Sequence, residues 1–317
     1  MKLNYNKINI FFLLIILFLF SITINLFYGY RGIFPQDSFF HFDAAYNILN
    51  NRHPFKDFYS ISGVFVDYLQ AVFFYFFGVN WLGYTLHAAA INFLLSIFSF
   101  ILFNTLGLSK FYSLLYSIGT STIAYTSAGS PFVDYHGVIF SLLSIYLLII
   151  FILKKNNISL FFLPIFLFLS FLSKQIPAAY IIIFLSLILL FDFIKNFQSK
   201  KIFFFFLGCL VSLIFFIFYL IIFKINFLDF LIQYFLFPLS IGKTRSDILN
   251  INFLEIIINF KFIFFIITAL AFLNIKIFLL KEKKYKEIFF IINCIIVTAL
   301  IFIYSQLLTK NQIFIFF

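Results

Sequence analysis

Acidic residues beside long apolar runs are the part of this sequence best placed to do chemistry. Asp37 follows Pro35-Gln36 after the first apolar run, and it precedes a stretch with helical spacing. A carboxylate at a water–lipid boundary is partly desolvated, and this tunes its pKa for general-base catalysis. The same position is also typical of a helix N-cap without a chemical role. The residues alone leave both interpretations of Asp37 open.

Asp134 and His136 stand where another apolar run begins. As catalytic helpers they would orient an acceptor, or bind a divalent metal ion together with Asp37. As purely structural residues, Asp134 would be the N-cap of a helix in which Gly137 allows close packing. Two acids and one histidine on separate loops do not have the spacing of a metal site, so neither a metal nor another cofactor is predicted.

Two further polar groups lie near the ends of apolar runs. Lys174 and Gln175 occupy a tight turn, where the lysine would bind a phosphate or reach lipid headgroups. Lys243 and Arg245 lie in a glycine-containing turn, where Arg245 would clamp a phosphate with two hydrogen bonds. Solvated loop charges are the alternative interpretation of this second pair.

These polar residues are exceptions in a strongly apolar chain of 317 residues. Hydrophobic residues make up 64% of the chain and charged residues 10%, and the mean hydropathy is +1.12. A soluble domain has roughly 45–50% apolar and about 25% charged residues. The composition therefore excludes a soluble globular enzyme and a disordered chain. The net charge of +11 is spread too thinly for the basic face of a nucleic-acid binder.

Nine apolar runs are predicted to be membrane-spanning helices. A helix needs about 20 apolar residues to cross about 30 Å of hydrocarbon. The runs cover residues 8–28, 81–103, 111–128, 136–153, 158–173, 176–194, 202–223, 262–280 and 288–308. The predicted fold class is therefore an all-α integral membrane protein with about nine transmembrane helices in residues 1–317.

The distribution of charge predicts the orientation of these helices. With the N-terminus in the cytoplasm, the cytoplasmic segments hold 13 cations and three acids, and the opposite segments hold nine cations and eight acids. Lysine and arginine are enriched in cytoplasmic loops, so this orientation is favoured.

Two segments on the extracytoplasmic side are long, residues 29–80 and residues 224–261. Long loops commonly carry function. A new apolar run begins within residues 310–317, which indicates that further C-terminal segments are missing from this chain.

The first long segment contains two apolar stretches. Residues 38–50 have the spacing of a short amphipathic helix that lies on the outer membrane surface. Residues 64–78 are too few to span and contain Asp67 and Gln70, so they are expected to lie flat or to re-enter the membrane. His41 is expected to be an interfacial loop residue.

The order of short motifs in the first 90 residues carries a family resemblance. Asp37, Ala45-Tyr46, Asn50-Asn51, Pro54-Phe55-Lys56-Asp57 and Phe77-Gly78 follow one another. This order resembles the first periplasmic loop of the GT-C glycosyltransferases, which include lipid A aminoarabinose transferases and protein mannosyltransferases. The remaining helices are similar only in topology.

The sequence departs from the family pattern at two positions. Many members have Asp-Glu where this chain has Asp37-Ser38, and a tyrosine where it has Phe40 beside His41.

The resemblance implies a membrane glycosyltransferase that uses a sugar on a polyprenyl phosphate. The acceptor would be a lipid, a glycan or a protein, and the site would face the periplasm from a bacterial inner membrane. Asp37 would be the general base of an inverting displacement. The residues expected to bind substrate are Asp57, Asp134, His136, Lys174, Gln175, Lys243 and Arg245.

Two other functions stay open. A transporter or flippase for a lipid-linked glycan would be expected to show internal repeats and charges at the membrane midplane. This sequence shows no internal repeat, and its apolar runs have almost no central charges. An O-antigen polymerase or ligase would be expected to carry its large loop late in the chain, and the segment 224–261 keeps that alternative open.

Overall fold

The computed structural model of the chain is all-α. It is described for residues 10–32, 37–126, 128–247, 252–280 and 285–309, apart from the side chains of Asp37 and Ser38. Within those ranges the regular elements are helices, and one isolated β-bridge joins Pro54 and Phe58. The predicted all-α class is confirmed.

Fourteen helices and one π-helical turn follow one another along the described ranges. The helices are α1 Ile10–Gly29, α2 Asp37–Leu49, α3 Val64–Phe77, α4 Trp81–Thr105, α5 Lys110–Ile123, α6 Val133–Lys154, α7 Asn157–Ser173, α8 Gln175–Lys195, α9 Ser199–Ile222, α10 Phe227–Leu231, α11 Phe237–Asp247, α12 Phe253–Asn259, α13 Lys261–Leu280 and α14 Lys286–Thr309, and the π-helical turn Ile232–Leu236 joins α10 to α11.

Seven of the described helices are long and apolar enough to cross a membrane, namely α1, α4, α6, α8, α9, α13 and α14. These seven support an integral membrane protein. The predicted runs 111–128 and 158–173 correspond to the shorter helices α5 and α7, of 14 and 17 residues. A total of nine crossings therefore stays a prediction.

Helix α5 ends at Ile123, before the chain reaches the level of the end of α1. Leu114 of α5 packs with Leu13 of α1, and the hydroxyl oxygens of Ser121 and Ser21 lie 3.1 Å apart. Residues 124–126 form a turn after the helix, and Gly129 lies against the backbone at the end of α1. Helix α5 and the turns after it together follow the length of α1.

Side-chain contacts show that neighbouring helices alternate in direction. The hydroxyl oxygens of Ser141 in α6 and Ser170 in α7 lie 2.8 Å apart, and the rings of Tyr180 in α8 and Tyr304 in α14 are 5.5 Å apart. Helices α2, α3 and α10 to α12 consequently collect at one end of the bundle, here called the loop-rich end.

The opposite end, here called the lysine-rich end, is where α6 and α8 finish and α7, α9 and α14 begin. It is defined by Lys154, Lys155, Lys195, Lys201 and Lys286. This arrangement agrees with the alternating helix directions that the charge distribution predicts. The cytoplasmic position of the lysine-rich end stays a prediction.

Helix α3 turns its polar face toward the protein and its apolar face outward. Asp67 and Gln70 are fully buried, whereas the Tyr75 and Phe76 side chains are 76% and 71% exposed. The helix packs against α2, α4 and α7. Helix α2 confirms the helix predicted at residues 38–50. The first long segment therefore contributes buried polar groups to the bundle.

Candidate functional site

His41 and Asp67 form a buried pair at the loop-rich end. The His41 Nδ1 atom lies 2.6 Å from the Asp67 Oδ1 atom, and both side chains are buried. Gly63 makes room for the imidazole, because a Cβ at that glycine would overlap the His41 ring and a methyl group of Val133. His41 belongs to α2 and not to a loop, and its side chain is turned toward α3. Its interfacial position stays a prediction.

Burial dominates the electrostatics of Asp67. It raises the pKa of the carboxyl group, and the neighbouring His41 imidazole acts in the opposite direction. The second carboxylate oxygen, Oδ2, is buried and has no hydrogen-bond partner among the described residues. Burial therefore works against the charged form of Asp67, and the His41 imidazole offsets part of that effect.

A second set of buried polar side chains links three helices beside the His41–Asp67 pair. The His87 Nδ1 atom lies 2.8 Å from Gln70 Oε1, and the His87 and His136 Nε2 atoms lie 3.0 Å apart. The His136 Nδ1 atom lies 3.0 Å from the carbonyl oxygen of Phe132. Helices α3, α4 and α6 are thus joined by polar groups with no exposed surface.

Hydrogen counting constrains this chain of contacts. The Phe132 carbonyl only accepts, so that contact is satisfied when His136 donates from Nδ1, an atom that also lies 3.4 Å from the Tyr125 hydroxyl oxygen. The contact between the two Nε2 atoms then needs one more hydrogen. If Gln70 accepts from His87 Nδ1, the two imidazoles together carry three hydrogens and one positive charge. If the Gln70 amide is turned over and donates, both imidazoles are neutral. In either case, His87 and His136 share one hydrogen between their Nε2 atoms.

Asp134 and Lys174 form an ion pair across α6 and the α7–α8 junction. The Lys174 Nζ atom lies 3.4 Å from Asp134 Oδ1, with the Asp134 side chain 4% exposed and the Lys174 side chain 21% exposed. The N-cap of α6 is Phe132, so the N-cap interpretation of Asp134 is wrong. The close packing at Gly137 is confirmed, because a Cβ there would be 2.8 Å from the Lys174 Cβ atom.

Two glutamines connect the two long segments of the loop-rich end. The Gln175 Nε2 group donates to the carbonyl oxygens of Ile61 at 2.7 Å and Tyr234 at 3.0 Å. The Gln233 Oε1 atom accepts from the backbone N–H of Ser60 at 3.0 Å. The described bonds of Gln175 therefore go to backbone groups. Together with the bond that Gln233 Nε2 donates to the carbonyl oxygen of Phe55, they hold residues 55–61 against the chain around the π-helical turn.

Two adjoining cavities bring together four of the expected binding residues. Lys174 and Arg245 line a small cavity of about 130 Å³, and Lys243 lines a larger one of about 590 Å³. Gln175 and Gly242 line both. The larger cavity is mostly apolar, and its aromatic lining consists of Phe171, Tyr180, Tyr234, Phe235 and Tyr304. Cationic groups therefore lie beside an aromatic cavity at the loop-rich end.

No described contact joins Asp57 or Asp37 to the residues that line these two cavities. Asp57 is exposed, and its Oδ2 atom accepts from the backbone N–H of His53 at 2.7 Å within a local turn. Burial lowers the pKa of His53, and the Asp57 carboxylate opposes that shift. Asp37 begins α2 one turn before His41, and its side chain lies outside the described part of the structure.

Four residues of the buried groups, His41, Asp67, Gln70 and His87, were not predicted as site residues. A signal for two of them was present, because Asp67 and Gln70 are three residues apart in an apolar run and therefore share one helix face. Nothing local indicated that His41 and His87 would meet them. Among the described side chains, no three histidine, cysteine or acidic residues come together as metal ligands.

Comparisons with known proteins give no relative for this chain. No protein-family model matches it, and no curated protein or solved structure matches it significantly.

Proposed function

We propose that this protein is a membrane glycosyltransferase that takes its sugar from a polyprenyl-phosphate donor. The observation that carries the proposal is the cationic cavity lined by Lys174 and Arg245 beside the aromatic cavity lined by Lys243. The resemblance of the first 90 residues to GT-C enzymes supports the same class of reaction.

The two cavities fit the two chemical parts of such a donor. A polyprenyl chain is apolar and favours the aromatic lining near Tyr234 and Phe235. A phosphate favours cationic donors, and an arginine can hold it with two hydrogen bonds. Lys174 remains paired with Asp134, so this ion pair sets its position at the cavity wall.

In this proposal Asp37 removes the proton from the acceptor hydroxyl. The hydroxyl oxygen then attacks the anomeric carbon, and the bond from that carbon to the lipid phosphate oxygen breaks with inversion. Arg245, Lys243 and Lys174 stabilise the negative charge of the departing phosphate. Asp134, His136, Gln175 and Asp57 keep a substrate-binding or positioning role.

The test of the base uses membranes that contain the chain and labelled undecaprenyl-phosphate hexoses and pentoses. Asp37→Asn is expected to lower transfer by about 10²- to 10⁴-fold, the usual contribution of a general base. Asp43→Asn is the matched control, because Asp43 is an exposed acid of the same helix. Transfer by Asp37→Asn at the level of the Asp43→Asn control would exclude Asp37 as the base.

The test of the donor site uses undecaprenyl phosphate alone. The double variant Lys243→Gln/Arg245→Gln is expected to bind it at least tenfold more weakly than the unchanged protein. Lys224→Gln/Lys261→Gln removes two cations from the same end of the bundle and none from the two cavities. Equal binding by both double variants would contradict the site, and tight binding without transfer of any sugar would favour a lipid-linked glycan transporter.

A further inference from the structure

The cavity of about 880 Å³ at the lysine-rich end is larger than the two cavities of the proposed donor site. It lies between the ends of α6 and α8 and the start of α14, opposite the loop-rich end. The proposed function does not use it. Its lining combines four lysines with an apolar wall, so it differs chemically from an ordinary gap between helices.

The lysines of this cavity are only partly balanced by acids. The Lys155 Nζ atom lies 3.2 Å from Glu287 Oε1, and the Lys201 Nζ atom lies 3.3 Å from Asp192 Oδ2. Lys195 and Lys286 also line the cavity, and neither forms an ion pair within the described ranges. The lining therefore carries an excess of two positive charges.

Lys201 shows that this charge is held in place by the fold. Lys201 is only 7% exposed, although it belongs to the first turn of α9. Its Nζ atom lies over the Phe151 ring at 5.3 Å in addition to its ion pair with Asp192. Helix α9 has no side-chain cap, so N–H groups of its first turn add a further partial positive charge near the cavity.

The remaining wall is apolar and open to the surroundings of the bundle. Phe184, Ile188 and Phe290 line it, together with Leu187 and Phe191, whose side chains are 62% and 66% exposed. Leu187 and Phe191 lie on α8, one of the helices long enough to span a membrane. The apolar wall therefore faces the position of lipid chains, and the lysines lie at the end of the same helices.

We propose that this cavity binds an anionic phospholipid. The lipid phosphate lies among Lys195, Lys201 and Lys286, and an acyl chain lies along Leu187 and Phe191. A free phosphate would leave the apolar wall uncovered, and a zwitterionic lipid would bring no net charge to balance the lysines. Basic cavities between membrane helices on the cytoplasmic side commonly bind lipids of this kind, and the charge pattern predicts that orientation here.

Purified full-length protein in neutral detergent tests the proposal through its thermal unfolding midpoint and through lipid retained in native mass spectrometry. Dioleoyl phosphatidylglycerol is expected to raise the midpoint and to remain bound, whereas dioleoyl phosphatidylcholine and inorganic phosphate are not. Lys195→Gln/Lys286→Gln is expected to weaken phosphatidylglycerol binding about 30-fold, because each lysine near a phosphate contributes about 1 kcal/mol.

Lys154→Gln/Lys200→Gln is the matched control. It removes two exposed lysines from the same end of the bundle, and neither lines the cavity. A control variant that loses as much affinity as Lys195→Gln/Lys286→Gln would overturn the site, because binding would then follow the general charge of that end. Equal binding of phosphatidylcholine, or protection by inorganic phosphate alone, would overturn the choice of ligand.

Discussion

The His41 Nδ1 atom and the Asp67 Oδ1 atom, 2.6 Å apart and buried, join α2 to α3. This polar contact adds to the apolar packing of the same two helices, in which the Phe42 and Phe74 rings lie 4.7 Å apart. Asp37 begins α2 one turn before His41. The pair is therefore one of the contacts that position the helix carrying the proposed base, even though neither residue was expected to lie in the site.

Asp67→Asn tests the protonation state of this pair. The pKa of Asp67 is raised above 3.8 in the folded protein, so the stabilising contribution of its protonated form is fully present below about pH 3.8. That contribution is lost as the pH rises through the folded-state pKa. The asparagine resembles the protonated acid, so the free energy of unfolding of Asp67→Asn relative to the unchanged protein should increase with pH.

The expected gain near neutral pH is on the order of 1–3 kcal/mol, because a buried charged group costs more free energy than a buried neutral amide. Denaturant unfolding between pH 4 and pH 8 measures it, and Asp43→Asn is an exposed control without this pH dependence. A relative stability of Asp67→Asn that falls as the pH rises would show that His41 lowers the pKa of Asp67 below its ordinary value.

The shared hydrogen between His87 and His136 predicts strong coupling between these two residues. His87→Leu or His136→Leu leaves the Nε2 atom of the other histidine buried and unpaired, and each change should cost about 1–3 kcal/mol. The double variant should cost less than the sum of the two single changes, by about 0.5–3 kcal/mol.

Denaturant unfolding of the four proteins in this cycle measures the coupling energy. A second cycle that combines His136→Leu with His53→Leu is the control, because His53 contacts Tyr68 and Phe223 instead. Additive costs in the His87–His136 cycle would contradict the shared hydrogen.

The apolar runs of the sequence were sufficient to predict the helices but not their lengths. Each of the nine runs contains a helix, because length and hydropathy are local properties. Helix α5 stops at Ile123 although its predicted run continues to residue 128, because the following turns pack on the end of α1. Such an ending depends on the partner helix and cannot be read from the run itself.

The candidate site was predictable only in part, for a similar reason. Lys174, Gln175, Lys243 and Arg245 were predicted near the ends of apolar runs, and the structure places them around two adjoining cavities. The glycine-containing turn predicted for Lys243 and Arg245 is wrong, because both residues lie in helix α11. The His41–Asp67 contact joins residues 26 positions apart, and the His87–His136 contact joins residues 49 apart. Their pairing depends on how α2, α3, α4 and α6 pack, which no local spacing specifies.

Gly208 of α9 lies where α9 packs closely against α7, and its replacement tests that contact. A Cβ at this position would overlap the carbonyl oxygen of Phe161, a backbone atom that cannot rotate away, and would lie 2.7 Å from the Pro164 ring. Gly208→Ala should therefore lower the free energy of unfolding by about 1–3 kcal/mol through overpacking. Gly119→Ala is the matched control in α5, because open space surrounds that position and alanine favours a helix by about 1 kcal/mol. Denaturant unfolding of both variants should show opposite signs, and a Gly208→Ala protein as stable as Gly119→Ala would contradict the close contact between α7 and α9.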